Sequence, residues 1–307
     1  MLKNKNSLQS IYGHKCFVFF KVNKMNENVS GTVKFIKRTI AAGFAVALFS
    51  CAPAFASGGS SSQMTPFDSD EVGINLEIGD MASKSGDYDS AVSAYSRAYL
   101  LDNKNFAAVY NLAYTYQLKG ALKEAVKYYK TAARIDGKRH EPYINMGAIF
   151  LIEANPAGAS EMFKKALEIA PDNIDVNFNL AIIDIDKGDH KSALASLAAA
   201  SKSVKEKSGR DYFSIALKTA LCRIALGEFD MAAKALDFQS DDAAEEIERY
   251  YLTGCMLHKS GKTDEAAKAF HKAVELAKVP EMEGLSKVLD EKIAQFKATK
   301  KTGRISN

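Results

Sequence analysis

The sequence predicts an all-α fold of stacked helical hairpins, and two observations support this prediction. Apolar residues, many of them alanine, recur at helical spacing through most of the chain after residue 71. Glycines that close successive helical patterns are separated by 34, 68, 39 and 34 residues: Gly86, Gly120, Gly188, Gly227 and Gly261. A fixed period of this size is typical of repeat architectures, so we expect a solenoid of about six units. With 47% hydrophobic and 25% charged residues, the composition excludes a disordered chain and a multi-span membrane protein.

Residues 1–56 are predicted to be an upstream extension and an export signal. The uncharged run 39–56 follows a basic stretch and ends in Ala-Phe-Ala, the small-x-small pattern that signal peptidase recognises. We expect translation to start at Met25, cleavage after Ala56, and a periplasmic product. One alternative is lipidation at Cys51, because Leu48-Phe49-Ser50-Cys51 resembles a lipoprotein box. A second alternative is an uncleaved anchor.

The net charge of +4 belongs to this export region. Residues 1–56 hold eight of the 41 basic side chains and one of the 37 acidic ones. Without them, 33 basic and 36 acidic side chains remain, a net charge of −3. The charge therefore gives no reason to expect nucleic acid or anionic lipid as a partner, and membrane contact is expected only through a lipid anchor.

The remaining elements follow from the period. A Ser/Gly-rich linker is predicted at 57–71, and a five-residue insertion makes 203–212 either a lengthened helix or a looser joint, our candidate hinge. In the third unit Ala154-Asn155-Pro156 replaces the turn glycine, and the fifth unit has Gln239 where its closing alanine would stand. The units are predicted at 72–105, 106–139, 140–173, 174–207, 213–246 and 247–280, followed by a capping helix at 281–299 and a tail at 300–307.

Small and large residues alternate at fixed places in these units. Gly or Ala at the eighth, twentieth and twenty-seventh positions lets helices approach closely, and Leu, Tyr or Phe, commonest at the seventh, eleventh and twenty-fourth, fills the space between units. This pattern resembles the tetratricopeptide repeat over about residues 72–279. The resemblance implies a right-handed superhelical solenoid that binds other proteins or peptides and acts as an assembly scaffold.

The resemblance also implies a binding surface. In such repeats the fifth, sixth, ninth and thirteenth residues of each unit's first helix face a concave groove. For units two to four this gives Tyr110, Asn111, Tyr114, Leu118, Ile144, Asn145, Ala148, Ile152, Phe178, Asn179, Ile182 and Asp186. The predicted groove is apolar and aromatic with a row of amides, although Ile152 fits a core position equally well.

The amide row has two interpretations. Asn111, Asn145 and Asn179 lie 34 residues apart, and an amide can both donate to and accept from the backbone of an extended peptide. The row therefore looks similar to the asparagine ladder of some tetratricopeptide proteins, but the same residues can also bond within the solenoid. A carboxylate clamp for acidic C-termini is not expected, because Leu76 and Glu141 stand where its lysines would.

The sequence contains none of the catalytic motifs that we searched for. Four histidines follow residue 56, none at metal-ligand spacing, and no phosphate loop, nucleophile elbow or zinc motif occurs, so neither cofactor nor metal is expected. Cys222 and Cys255 are expected to remain free thiols rather than to pair. The fifth and sixth units offer a second surface at Tyr250, Tyr251 and His258.

We expect a non-enzymatic interaction module of the bacterial envelope. The alternatives are a lipid-anchored subunit of a pilus or secretion machine and an enzyme with an unrecognised site.

Overall fold

The computed structural model describes residues 66–206, 209–278 and 294. Within these residues every regular element is an α-helix, which confirms the predicted all-α repeat fold. The helices are α1 Pro66–Ser85, α2 Tyr88–Leu101, α3 Phe106–Leu118, α4 Leu122–Ile135, α5 Glu141–Ile152, α6 Pro156–Ile169, α7 Ile174–Lys187, α8 His190–Ser203, α9 Arg210–Ala225, α10 Phe229–Ala235, α11 Ala243–Lys259 and α12 Thr263–Leu276.

The chain forms two compact units, and it passes from one to the other between Pro171 and Asp172. The N-terminal unit contains α1–α6 and the C-terminal unit contains α7–α12. The predicted hinge at 203–212 differs from this division, because it lies inside the C-terminal unit. There α8 packs against α9, with Ala200 and Ile215 in one buried cluster, and this packing holds the two sides of the connection together.

In the N-terminal unit, α1–α2, α3–α4 and α5–α6 form hairpins, and α2 and α4 also pack on the next first helix. Close approach within a hairpin depends on glycine at the eighth repeat position. A Cβ added to Gly147 would lie 2.5 Å from the ring of Phe163, and one added to Gly79 would lie 2.5 Å from the ring of Tyr95. The aromatic rings therefore occupy the space that a side chain at the glycine would need.

The turns follow the predicted period. All five period glycines adopt a left-handed backbone, with φ between 77° and 85°. Ala154 takes the same conformation in the third unit, with φ 55°, as its place in the repeat requires. Left-handed backbone is costly for alanine, so this turn is held by its surroundings, including the hydrogen bond that Asn155 N donates to the Phe150 carbonyl at 2.7 Å.

Helix α1 begins six residues before the predicted first unit and includes the last part of the predicted 57–71 linker. Proline is well suited to the first position of a helix because its missing N–H would have no partner there. Pro66 occupies that position, and no glycine interrupts the chain between it and Val72. The helical pattern therefore extends through residues that composition alone assigns to a linker.

The C-terminal unit departs from the regular repeat around the insertion. Residues 204–209 connect α8 to α9, and α9 starts at Arg210, so the insertion both lengthens the connection and extends a helix. Helix α10 has seven residues, whereas α12 has 14. Helix α11 starts at Ala243, four residues before the predicted sixth unit, because Asp242 caps it by accepting from Ala244 N at 2.8 Å.

Several predictions concern residues outside the described part of the chain. These are the export signal, its cleavage after Ala56, lipidation at Cys51, and the tail at 300–307. The predicted capping helix at 281–299 also lies outside it, except for Ala294, which is helical. Among the helices that the structure describes, none combines the length and apolar character needed to span a membrane.

Candidate functional site

The structure separates the predicted groove residues into three classes of exposure. Five of the twelve are buried, with at most 7% of each residue exposed: Tyr110, Asn111, Ile144, Asn145 and Ala148. Tyr114, Leu118, Phe178, Asn179 and Ile182 are half-buried, and Ile152 and Asp186 are exposed. The groove prediction is corrected for the five buried residues, because a ligand cannot contact them in this conformation.

Tyr110 shows why equal repeat positions do not guarantee exposure. Its ring stacks on Phe106, with 5.4 Å between the ring centroids, and lies 5.6 Å from the ring of Tyr129. Tyr129 belongs to the second helix of the same hairpin and is itself fully buried. Tyr110 is therefore part of the core of its hairpin.

Asn145 is bonded inside the protein. Its amide nitrogen donates to the hydroxyl of Tyr110 at 2.8 Å, and Asn145 is 1% exposed. Of the two interpretations of the amide row, the structure favours internal bonding for this member. Asn179 lies in the C-terminal unit, where it is half-buried.

Asn111 differs from Asn145 although it occupies the same repeat position. Its amide nitrogen lies 3.5 Å from Oδ1 of Asp80, and a carboxylate can only accept. Because the amide nitrogen faces Asp80, the amide oxygen of Asn111 faces away from it. That oxygen is buried and has no hydrogen-bond partner. A buried acceptor without a partner is costly, about 1–3 kcal/mol, and a donor that reached this oxygen would remove the cost.

A small cleft between α1 and α3 surrounds this amide. Its lining residues come from α1, α2 and α3 of the N-terminal unit: Asp80, Ser83, Lys84, Tyr95, Asn111, Tyr114 and Thr115. Tyr95 donates to Oδ1 of Asp80 at 2.5 Å. Burial, followed by the neighbouring Asp80 carboxylate, raises the pKa of Tyr95, so its hydroxyl stays protonated and orients the carboxylate. The cleft thus combines a fixed carboxylate, an unpaired amide oxygen and a half-buried aromatic ring.

The sequence prediction did not include Asp80 or Lys84. Both follow from the same positional rule, because they are the ninth and thirteenth residues of the first unit, to which the rule was not applied. The rule thus finds where residues face, and the structure shows which of them share a cleft.

The C-terminal unit carries a buried ion pair that the sequence prediction also missed. Lys218 takes the sixth repeat position of the fifth unit, where units two to four have asparagine. Its Nζ lies 2.9 Å from Oε1 of Glu248, and both side chains are less than one-tenth exposed. Burial raises the pKa of Glu248, and Lys218 opposes that shift. Oε2 of Glu248 has no hydrogen-bond partner.

The predicted second surface is half-buried. The guanidinium of Arg249 lies 4.2 Å from the ring centroid of Tyr250, and Tyr251 packs against Phe270 at 5.8 Å. Cys222 is buried and Cys255 half-buried, and the two are not joined by a disulfide. Burial raises the pKa of Cys222 to about 11, which keeps this thiol protonated and unreactive at neutral pH. Among the described residues, no three His, Cys, Asp or Glu side chains are grouped so as to hold a metal ion.

Family models confirm the repeat that the turns and hairpins show. One tetratricopeptide repeat model matches residues 82–146 and 150–207, and a second matches 247–279. Together these ranges cover just over half of the chain. The chain belongs to the tetratricopeptide repeat family. Proteins of this family bind proteins or peptides and generally act as interaction scaffolds rather than enzymes. The irregular fifth unit falls outside the matched ranges.

The relatives match this chain over only part of their own length. The chain is 27% identical to the BBSome complex member BBS4 of Bos taurus over 137 residues, 44% of this chain and 26% of that protein. It is 27% identical to the anaphase-promoting complex subunit CDC16 of Saccharomyces cerevisiae over 184 residues, 59% of this chain and 22% of that protein. The matches therefore span about a quarter of each relative.

Solved structures show the same fold at low identity. YrrB, described as a TPR protein with an unusual peptide-binding site, aligns with a TM-score of 0.53 and 19% identity over 64% of this chain and 97% of its own. PilF of Pseudomonas aeruginosa aligns with a TM-score of 0.52 and 16% identity over 71% of this chain and 98% of its own. Likeness at this identity establishes the repeat fold.

Proposed function

We propose that this protein is a non-enzymatic interaction module that captures a peptide segment of a partner at the α1–α3 cleft. The unpaired, buried amide oxygen of Asn111 is the observation that carries the proposal. A backbone N–H of a peptide supplies the donor that this oxygen lacks, irrespective of the peptide's side chains. Tyr114 supplies an apolar surface beside it.

Peptide entry involves a local rearrangement. Less than 1 Å² of the Asn111 oxygen is accessible, so a donor reaches it only when a lining side chain moves. Lys84 is an exposed lining residue on α1, and a movement of its long aliphatic stem, with its charge kept in water, would open the cleft. The bond to Asn111 then offsets part of the free energy needed to order the peptide.

The test compares partner recovery by single variants of the full chain. Wild type, Asn111→Ala and the matched control Asn179→Ala are used as bait in an envelope extract, and bound proteins are quantified by mass spectrometry. The proposal expects at least a tenfold loss of specific partners with Asn111→Ala and recovery near wild type with Asn179→Ala. Equal losses with both variants would show that the amide row binds as a whole, as the ladder interpretation requires. Recovery unchanged by Asn111→Ala would overturn the cleft as the binding site.

We further propose that the protein works in the bacterial periplasm. The uncharged run at 39–56, its preceding basic residues and the Ala54-Phe55-Ala56 site support export. Intact-mass analysis of the protein recovered from the periplasm tests this. An N-terminus at Ser57 supports the proposal, and a cytoplasmic protein that begins at Met25 or earlier contradicts it.

A lipid-anchored subunit of a pilus or secretion machine is the second candidate function. Its support is the Leu48-Phe49-Ser50-Cys51 sequence. The same mass measurement distinguishes the two, because an acylated Cys51 at the mature N-terminus rules out cleavage after Ala56. Replacement of Cys51 by alanine would then release the protein from the membrane fraction.

A further inference from the structure

Helix α1 exposes an apolar stripe on one face. Ile74, Ile78 and Met81 are 54%, 43% and 64% exposed, and their spacing of four and three residues places them on one side of the helix. Large apolar side chains that are exposed singly are normal, but three in one stripe form a patch of the kind that marks an interaction surface.

The same repeat positions are buried in the next two first helices. The stripe occupies the third, seventh and tenth positions of its unit, which in α3 are Ala108, Leu112 and Thr115, all 0% exposed. In α5 they are Pro142, Met146 and Ile149, which are also buried. These residues are covered by the second helix of the preceding hairpin.

The contacts on α3 show what such a face receives. Leu112 lies in one buried cluster with Ala91 and Tyr95 of α2, and Ala108 lies in another with Ala98. The covering helix therefore has alanine, a large ring and alanine at positions i, i+4 and i+7. Helix α4 repeats this pattern with Ala125, Tyr129 and Ala132. The stripe on α1 is the surface that would receive a helix of the same kind.

We propose that this face of α1 binds an amphipathic helix of a partner protein whose apolar side is flanked by lysine and arginine. The basic flank follows from the rim of the stripe. Asp70, Glu71 and Glu77 lie three or four residues from Ile74, so they are on the same side of α1, and all three are exposed. By the same spacing the exposed Lys84 neighbours Met81 at the other end of the stripe, so the acidic part of the rim is the part around Ile74. A partner with basic residues beside its apolar face complements this rim.

Charge also distinguishes this partner from a second copy of the chain. In a twofold contact between two α1 helices, the same acidic residues of both copies would line one interface, and like charges there are unfavourable. None of the three stripe residues lines the α1–α3 cleft, so a substitution in the stripe tests this surface without removing a cleft residue.

The chain itself provides a suitable probe. A peptide of residues 121–136, acetylated, amidated and labelled with fluorescein, carries the alanine–tyrosine–alanine stripe, but its own basic residues lie on the opposite face of the helix. The probe therefore has lysine in place of Leu122, Tyr128, Ala133 and Ile135, which lie three or four residues from members of the stripe and so flank it. Its binding to the full chain is followed by fluorescence anisotropy. We expect saturable binding that weakens at least tenfold with Ile78→Asp in the protein. A peptide with glutamate instead of lysine at these four flanking positions should bind more weakly by a similar factor.

Met231→Asp is the matched control, because Met231 is a similarly exposed apolar residue, 47% exposed, on α10 of the other unit. It should bind the peptide as wild type does. Equal affinity of wild type and Ile78→Asp, or of the basic and acidic peptides, would overturn the proposal. Binding that occurs only after residues 1–56 are removed would assign the stripe to that segment instead. A dimer in sedimentation velocity that Ile78→Asp dissociates would assign it to a second copy.

Discussion

The side-chain amide of Asn145 donates to the hydroxyl of Tyr110 over 2.8 Å, and both residues are almost fully buried. The bond joins α5 to α3, the first helices of two successive hairpins. One repeat earlier, Asn111 occupies the same position, yet its amide oxygen has no partner and lies beside a cleft. The same residue type at the same repeat position is thus bonded across two hairpins in one unit and has an unsatisfied acceptor in the other.

Substitutions at these two asparagines should separate stability from binding. Asn145→Ala removes a buried hydrogen bond and should lower the free energy of unfolding by about 1–3 kcal/mol. Asn111→Ala removes an oxygen that is already unpaired together with the long 3.5 Å contact from its amide nitrogen to Asp80, so the loss should be smaller than that of Asn145→Ala. Urea unfolding followed by circular dichroism measures both. Equal losses would contradict the difference in bonding that the structure shows.

Removing one member of the Lys218–Glu248 pair should destabilise the protein much more than replacing both. Glu248→Leu leaves the lysine charge buried without its carboxylate, which should cost about 3–5 kcal/mol. The double variant Lys218→Met, Glu248→Leu removes both charges and should be near wild type or more stable by about 1–4 kcal/mol. Thermal unfolding of the three proteins at one pH makes the comparison. A double variant less stable than the single one would contradict it.

The same pair predicts a pH dependence with a definite sign. Burial raises the pKa of Glu248 above its ordinary value of 4.5, against the opposing effect of Lys218. The folded protein therefore keeps this proton to a higher pH than the unfolded chain does. Relative to the double variant, wild-type stability should fall as the pH rises from about 4.5 through the folded pKa, and stay constant above it.

Urea unfolding of both proteins between pH 4 and pH 8 tests that sign. Apart from Lys218, which the double variant also lacks, the other titrating groups are common to the two proteins, so they cancel in the difference. A wild type that gains stability over the double variant as the pH rises through this range would show that the lysine lowers the pKa below 4.5 instead.

Gly147 should tolerate alanine only if its aromatic neighbour is reduced. A Cβ there lies 2.5 Å from the Phe163 ring, so Gly147→Ala should lower the free energy of unfolding by about 1–3 kcal/mol, even though alanine favours helix by about 1 kcal/mol. The double variant Gly147→Ala, Phe163→Leu recreates the Ala181 and Leu197 combination of α7 and α8 and should recover part of the loss. If the loss in the double variant equals the sum of the losses in Gly147→Ala and in Phe163→Leu, the clash is not the cause.

Predictions of turns proved more reliable than predictions of exposure. The five period glycines adopt the left-handed backbone, and Ala154 does so as well, because the requirement for such a turn is local and recurs with the period. The start of α1 at Pro66 was missed because residues 66–71 lie outside the repeating pattern. The length of α10 could not be anticipated, since no glycine or proline in the sequence marks its end at Ala235.

The candidate site shows where positional reasoning ends. The rule for groove residues identifies Asn111 and Tyr114, and applied to the first unit it also identifies Asp80. It also assigns Tyr110 to the groove, where the structure gives it a core position against Tyr129. The exposure of a side chain depends on the ring that faces it across the hairpin. The facing ring differs between units even though their spacing is identical.

The sequence by itself determined the repeat family, the period of the hairpins and the positions of most turns, because these depend on contacts between residues near each other in the chain. The tertiary structure alone decided that Asn145 is bonded internally while Asn111 has an unpaired oxygen, that Lys218 and Glu248 pair in the interior, and that the apolar stripe on α1 is uncovered. These features depend on which helix lies against which, and a residue's exposure changes when its neighbouring helix is absent even though its place in the repeat is the same.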